Sequence, residues 1–225
     1  MTSAEGPGFR WALWVQGCSI GCEGCCNPHL WDASANAHTH VEDLIDDMLS
    51  VVTEVEGITL LGGEPFEQAA PLAKLAAAAQ DHGLGVMTFT GYRYEVLRSG
   101  AEPGWAALLN ATDLLVDGPF IQSRVDVARP WVGSTNQRFC HLTDRYRDAC
   151  VGEHDRVEIR LRRDGAVAVN GWPDPHLIAS LEDLLDNLVA FDVATAPEDL
   201  TAGEIIRIYA DELDLDEDPD VDGRV

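Results

Sequence analysis

Three cysteines crowd one short stretch of the chain: Cys18, Cys22 and Cys25 give the spacing C-x3-C-x2-C within Gly17–Pro28, and Cys26 follows directly. Thiolates so close together are a soft donor set, suited to zinc or to an iron–sulfur cluster. A structural zinc site is closed by four ligands, commonly arranged as two paired Cys/His knuckles. No second knuckle is evident, since Cys140 and Cys150 lie ten residues apart and the seven histidines form no zinc-finger spacing. Three ligands suit instead a [4Fe-4S] cluster held at three corners, with one iron left open for chemistry. On that reading Cys26 is a non-ligand beside the site, because a further thiolate would close the open iron.

Other segments carry chemistry of a different kind. In Gly62-Gly63-Glu64-Pro65 two glycines let backbone groups approach a ligand closely. Glu64 supplies a charged acceptor for an ammonium, and Pro65 fixes the exit of the turn. Thr90-Gly91-Tyr92 and Val116-Asp117-Gly118-Pro119-Phe120 follow in order. Asp117 reads either as a ligand-facing carboxylate or as a carboxylate capping the turn at Gly118-Pro119. Trp31 reads as core. Arg10 is expected to meet a carboxylate or solvent near the opening of the site.

These segments, with Glu5-Gly6-Pro7-Gly8-Phe9-Arg10, Gln16-Gly17-Cys18, Cys25-Cys26-Asn27 and Trp31, resemble the glycyl-radical-enzyme activases of the radical S-adenosylmethionine superfamily. Among these the likeness is greatest to the activases of anaerobic ribonucleoside-triphosphate reductases, and it covers residues 4–142. The resemblance implies a [4Fe-4S] cluster on Cys18, Cys22 and Cys25, its fourth iron chelated by the amino and carboxylate groups of S-adenosylmethionine. It implies cofactor contacts at Gly24, Cys25, Cys26, Gly62, Gly63, Glu64, Thr90 and Asp117, with Gly62–Glu64 at the methionyl amine. Many superfamily members carry an aromatic residue just before the third cysteine; Gly24 stands there instead, as is common in the reductase activases. The implied partners are a large glycyl radical enzyme, an anaerobic ribonucleotide reductase, and a low-potential electron donor such as flavodoxin or ferredoxin. No protein acid or base is then required. Two other readings remain open: a radical enzyme that modifies a peptide or small molecule, and a non-catalytic metal-binding interaction module.

The elements that must position these residues can be read from hydrophobic pattern. Arg10–Val15 is short, apolar and aromatic, as a buried first strand should be. Thr39-His40-Val41-Glu42 has the pattern of a capping box. Val41, Leu44, Ile45, Met48, Leu49 and Val52 then recur at helical spacing, with Gly57 ending the helix. Ile58–Leu61 is a strand, Phe66–His82 a helix stopped by Gly83, Leu84–Thr90 a strand, Tyr94–Ser99 and Trp105–Asn110 short helices, and Asp113–Asp117 a strand. Such alternation predicts an α/β fold with a parallel sheet and crossover helices. Each chemical segment falls at the carboxyl end of a strand, where such sheets carry their sites. The expected architecture is an incomplete, TIM-like radical S-adenosylmethionine barrel over residues 1–150. A C-terminal extension over 151–213 is expected to hold a hairpin, from Arg156–Arg162 turning at Asp164-Gly165 into Ala166–Val169. Its helices are His176–Phe191 and Glu204–Leu213, and residues 214–225 form an acidic tail expected to be disordered.

Charge bounds the partners. The 225 residues carry 39 acids against 15 bases, a formal net charge of −24. Such a surface repels nucleic-acid backbones and anionic membranes, so neither is an expected partner. No apolar run approaches the ~20 residues of a membrane span, and a cytoplasmic location, where thiols stay reduced, is expected.

Overall fold

In the computed structural model, residues 1–34, 38–149, 157–161 and 167–171 are described. Five strands form one sheet in the order β1 (Arg10–Val15), β2 (Gly57–Gly62), β3 (Gly85–Phe89), β4 (Leu114–Asp117) and β5 (Arg138–His141). The first four run parallel, in register Arg10 on Gly57 and Gly57 on Gly85. The fifth pairs antiparallel with β4, Asp117 opposite Arg138. The sheet is thus mostly parallel and unclosed, and the antiparallel edge strand was not foreseen by an expectation of parallel strands alone. Parallel neighbours need a crossover connection, usually a helix, whereas the chain between β4 and β5 holds only the 3-10 turn Gln122–Arg124 and returns antiparallel.

The crossovers are α1 (Val41–Ser50), α2 (Ala69–Asp81), and the short α3 (Tyr94–Leu97) and α4 (Trp105–Asn110). They cover one face of the sheet. Trp11, Ile58, Leu60, Val86 and Leu115 from the strands pack there against Met48, Leu72, Leu75, Ala76, Leu97 and Leu108. Side chains of the alternate parity make a smaller cluster, in which Met87, Leu114 and Val116 meet Val132 and Tyr146. Both faces are therefore buried, which is why the strands read as apolar runs rather than as alternation.

Four local expectations are corrected. The capping box is not made: the residue capping α1 is His40, without a side-chain hydrogen bond, one position after Thr39. Gly57 does not end that helix, which stops at Ser50; it opens β2, where a Cβ would fall 2.3 Å from the Gly85 carbonyl oxygen. Trp31 is 36% exposed and so is not core, although its carbonyl accepts the Cys18 amide. Arg10 meets neither a carboxylate nor solvent. It is fully buried at the amino end of the sheet, among backbone carbonyls and two hydroxyls.

The chain divides into two compact units, the larger formed by Met1–Glu158 with Asn170–Trp172. Strands β6 (Val157–Leu161) and β7 (Val167–Gly171) make a separate two-stranded sheet. Its turn at Asp164-Gly165, the helices expected at His176–Phe191 and Glu204–Leu213, and the acidic tail lie outside the described residues. Among the described residues no helix is long and apolar enough to cross a membrane.

Candidate functional site

The cysteine loop leaves the carboxyl end of β1 and is fixed at its base by backbone bonds. Gly17 N–H donates to the Leu30 carbonyl at 2.8 Å and Cys18 N–H to the Trp31 carbonyl at 3.1 Å. The Gln16 amide reaches across to the carbonyls of His29 and Asp32, at 3.1 and 2.7 Å. Gln68 in turn donates to the Gln16 carbonyl at 2.6 Å. The neighbouring strand grips the start of the loop: Gly63 N–H donates to the Val15 carbonyl at 2.7 Å and Glu64 N–H to Gly17 at 2.8 Å. The fit tolerates no side chain at residue 63, because a Cβ there would stand 2.2 Å from the Gly17 oxygen. This close approach of two backbones is the structural use of the second glycine in Gly62-Gly63-Glu64.

Cys18, Cys22 and Cys25 are all half-buried, and Cys26 is exposed. The Cys22 thiol is pushed up, first by burial and then by its thiol neighbours Cys25 and Cys18, while a hydrogen bond from the Phe120 backbone pulls it down. The Asn27 amide donates to the Cys25 sulfur at 3.4 Å. Gly24 holds a left-handed φ of +74°, and a Cβ on it would meet the Gln122 side chain at 2.8 Å. So the loop after β4 closes over the cysteine loop where an aromatic residue was absent from the sequence. Among the described residues, no three His, Cys, Asp or Glu side chains converge to hold a single ion. Three thiols on one loop are a soft donor set that fits an iron–sulfur cluster, in which each takes its own iron.

Beside this loop lies a buried acid. Glu64 is 1% exposed. Its Oε1 accepts from Phe66 N–H at 2.9 Å and from the Thr90 hydroxyl at 2.8 Å, and its Oε2 accepts from Gly91 N–H at 2.8 Å. None of these partners is a cation. Burial accordingly raises the Glu64 carboxyl to about 7, against the lowering effect of its hydrogen bonds. A carboxylate offers roughly four acceptor positions, so one on Oε2 is left for a further donor. Such a group suits an ammonium, which would restore the charged form.

The structure therefore joins Gly63, Glu64, Thr90 and Gly91 at the base of the cysteine loop, whereas further along that loop Cys22 meets the Phe120 backbone and Gly24 meets Gln122. Asp117 is handled differently. Its buried carboxylate accepts from Tyr94 N–H at 2.7 Å and from both Nε, at 2.9 Å, and Nη2 of Arg138. It ties α3 and β5 to the end of β4. Sequence reasoning missed Arg138, the two glutamines at the loop base, Gln122 and Glu67. Each acts on a residue distant in sequence, so spacing gives no signal for it.

Comparison with known proteins matches the part of the chain that holds these residues. The family model described as a 4Fe-4S single cluster domain matches residues 4–140. An anaerobic ribonucleoside-triphosphate reductase-activating protein from Salmonella typhi is 33% identical over 145 residues, covering 61% of this chain and 92% of the relative. That from Escherichia coli K12 is 32% identical, with 61% and 92% covered, and that of Enterobacteria phage T4 is 28% identical, with 62% and 88% covered. The relatives are thus matched over nearly their whole length, while about two fifths of this chain lies outside the match. The cysteine loop, its glycine-gripped base and the buried acid all fall within the matched part, and the chain belongs to the family of anaerobic ribonucleoside-triphosphate reductase-activating proteins, built on a 4Fe-4S single cluster domain.

Proposed function

We propose that this protein is a radical S-adenosylmethionine oxidoreductase that generates a glycyl radical on a partner enzyme, an anaerobic ribonucleoside-triphosphate reductase. The observation that carries the reading is the placement of Glu64, a buried acid with no cationic partner, against the loop that bears Cys18, Cys22 and Cys25. Cys18, Cys22 and Cys25 would hold the [4Fe-4S] cluster. When bound, the cluster supplies one low-potential electron to the sulfonium of S-adenosylmethionine, giving methionine and a 5′-deoxyadenosyl radical that takes a hydrogen atom from a glycine Cα of the partner.

The chain's own residues bind and orient. Glu64 receives the methionyl ammonium on the free side of Oε2. Thr90 and the Gly91 amide hold that carboxylate in place. Gly62 and Gly63 let their backbone lie against the first strand and the cysteine loop, so that Glu64 faces the ligand, and Gly24 and Cys26 touch its nucleoside through their backbone. Asp117 serves this site indirectly, by fixing the loop that packs on Gly24. No residue need donate or accept a proton in the radical step, so the protein contributes position and exclusion of water. The partner names on the relatives favour a macromolecular substrate, and an unclosed sheet leaves room for a glycine-bearing loop to enter.

Anaerobic reconstitution with iron and sulfide is the test. The protein should bind about four irons with matching sulfide and, once reduced, cleave S-adenosylmethionine to 5′-deoxyadenosine. Incubation with the reductase should then give a glycine-centred doublet by electron paramagnetic resonance. Cys22→Ala should fail to assemble the cluster; normal iron content in that variant would refute the ligand set. Cleavage without a protein radical would favour instead a peptide or small-molecule substrate, and zinc without sulfide would favour a non-catalytic module.

A further inference from the structure

We infer that Glu67 is a positioning residue for the cysteine loop and places a negative charge beside the first cluster ligand; the inference rests on the cluster reading above. Glu67 lies in the 3-10 turn Pro65–Gln68, three residues beyond Glu64. Its two oxygens accept the Ser19 amide, at 3.0 and 3.2 Å, and Oε1 also accepts the Ser19 hydroxyl. The Tyr92 hydroxyl donates to the same oxygen at 3.4 Å. Ser19 is the residue directly after Cys18. One side chain therefore joins the loops that follow β1, β2 and β3, and it does so one residue from a cluster ligand.

The chemistry of this contact differs from that at the other two cysteines. The sulfurs of Cys22 and Cys25 are approached by backbone amides, of Phe120 and Asn27. The amide next to Cys18 is turned onto a carboxylate instead. Amide dipoles on the sulfurs and positive surroundings raise the potential of an iron–sulfur cluster. A carboxylate opposes the entry of an electron nearby. None of the groups bonded to Glu67 is a cation, so its charge is not neutralised by them. In an enzyme that must reduce a sulfonium, a charge that makes the electron more reducing is an asset. Glu67 thus has two separable effects: a geometric one, holding Cys18 through Ser19, and an electrostatic one, lowering the potential.

Two substitutions separate them. Glu67→Gln keeps a carbonyl acceptor for Ser19 and removes the charge. Glu67→Ala removes both. In reconstituted full-length protein, Glu67→Gln should retain wild-type iron against a chelator, while its midpoint potential, titrated by electron paramagnetic resonance, moves positive. Glu67→Ala should share that shift and also hold iron about 10- to 100-fold more weakly. An unchanged potential in Glu67→Gln overturns the electrostatic role, and unchanged iron retention in Glu67→Ala overturns the positioning role. Should Glu67→Ala fail to fold, Glu67→Gln alone still decides the potential, and Ser19→Ala tests the clasp by weakening it. Wild-type protein that takes zinc without sulfide would overturn the cluster reading and this inference together. A normal wild-type cluster with indistinguishable variants overturns the role of Glu67 alone.

Discussion

At each end of the parallel sheet a charged side chain is buried among neutral partners, Arg10 at one and Glu64 at the other, with opposite results. At the amino end, Arg10 places all its N–H donors: Nε on the Thr59 hydroxyl at 2.6 Å, Nη1 on the Pro7 carbonyl and the Tyr146 hydroxyl, both at 2.9 Å, and Nη2 on the carbonyls of Ile58 and Gly85. The Tyr146 ring also lies 5.4 Å from the guanidinium. Every site on the cation is taken, and the loops around it are closed. At the carboxyl end, Glu64 has three bonds and an acceptor position to spare, and burial holds it at about 7. Saturation makes one buried charge a fastening. Incomplete saturation leaves the other able to accept a further donor. The difference shows why burial alone does not identify a functional group: the inventory of remaining donors and acceptors does.

The most severe way to break this comparison is at the amino end. Arg10→Leu leaves the Ile58, Gly85 and Pro7 carbonyls without that partner in a dry interior, at about 1–3 kcal/mol each. That sum approaches the whole stability of a domain, ~5–15 kcal/mol, so the apoprotein should be largely unfolded by circular dichroism. Arg10→Lys should fare little better, since an ammonium has three donors and cannot span the fork. A folded Arg10→Leu protein with near-wild-type melting temperature would show that Arg10 is not the fastening described here.

At the other end the change should fall on binding rather than folding. Glu64→Gln turns an acceptor into a donor opposite the Gly91 amide or the Thr90 and Phe66 donors, and removes the charge. Affinity for S-adenosylmethionine, measured calorimetrically, should fall by 10-fold or more, on the scale of about 1.5–3 kcal/mol for a charge-assisted hydrogen bond. The acid also imposes a pH dependence. A carboxyl held at about 7 when folded, against 4.5 normally, binds its proton more tightly in the folded protein. The stability it contributes is complete below about 4.5 and is lost as pH rises through about 7, at most ~3 kcal/mol. Glu5, raised to about 7 by burial, adds a loss of the same sign. Apoprotein stability should therefore decline between these limits, and less steeply in Glu64→Gln. Binding of an ammonium to Glu64 should release a proton over the same interval, so affinity should improve as pH approaches 7. A pH-independent affinity would remove Glu64 from the ammonium site.

Much of this was legible in the residues, for identifiable reasons. Strand and helix positions followed from apolar runs and helical spacing, and Trp105–Asn110 was placed to the residue. The three thiols and Gly62-Gly63-Glu64 could be assigned to strand ends because each chemical segment directly follows an apolar run. What could not be read were the partners of polar side chains across the fold. Arg10 is separated from Tyr146, and Glu67 from Ser19, by long stretches of chain, so no local pattern announces them. Trp31 misled because a large aromatic residue ordinarily signals burial, whereas here it is the backbone carbonyl of residue 31 that does the structural work, for Cys18. The capping box misled because the helix begins one residue later than its pattern requires.

The smallest effect sharpens the comparison at a third buried charge. Asp117 resembles Glu64 in position, at the end of a strand on the same side of the sheet, but not in the charge of its partners. Its oxygens are engaged by Tyr94 N–H and by two nitrogens of Arg138, and Arg138 also pairs with Glu95 at 3.0 Å. Like Glu64, Asp117 accepts three bonds, but two of them come from a cation that balances its charge, so on charge it is a fastening, even where the resemblance to activases would make it a cofactor contact. Arg138 is half-exposed, so solvent can partly replace it once lost. Arg138→Ala should therefore cost about 1–3 kcal/mol of stability, a few degrees of melting temperature, and leave S-adenosylmethionine affinity within about twofold, about 0.4 kcal/mol, because the lost bonds fall on the fastening and none of them is made to the ligand. A large loss of affinity with little loss of stability would reverse the assignment: Asp117 would then belong with Glu64 as a receptor, and Arg138 would be the group that holds it ready.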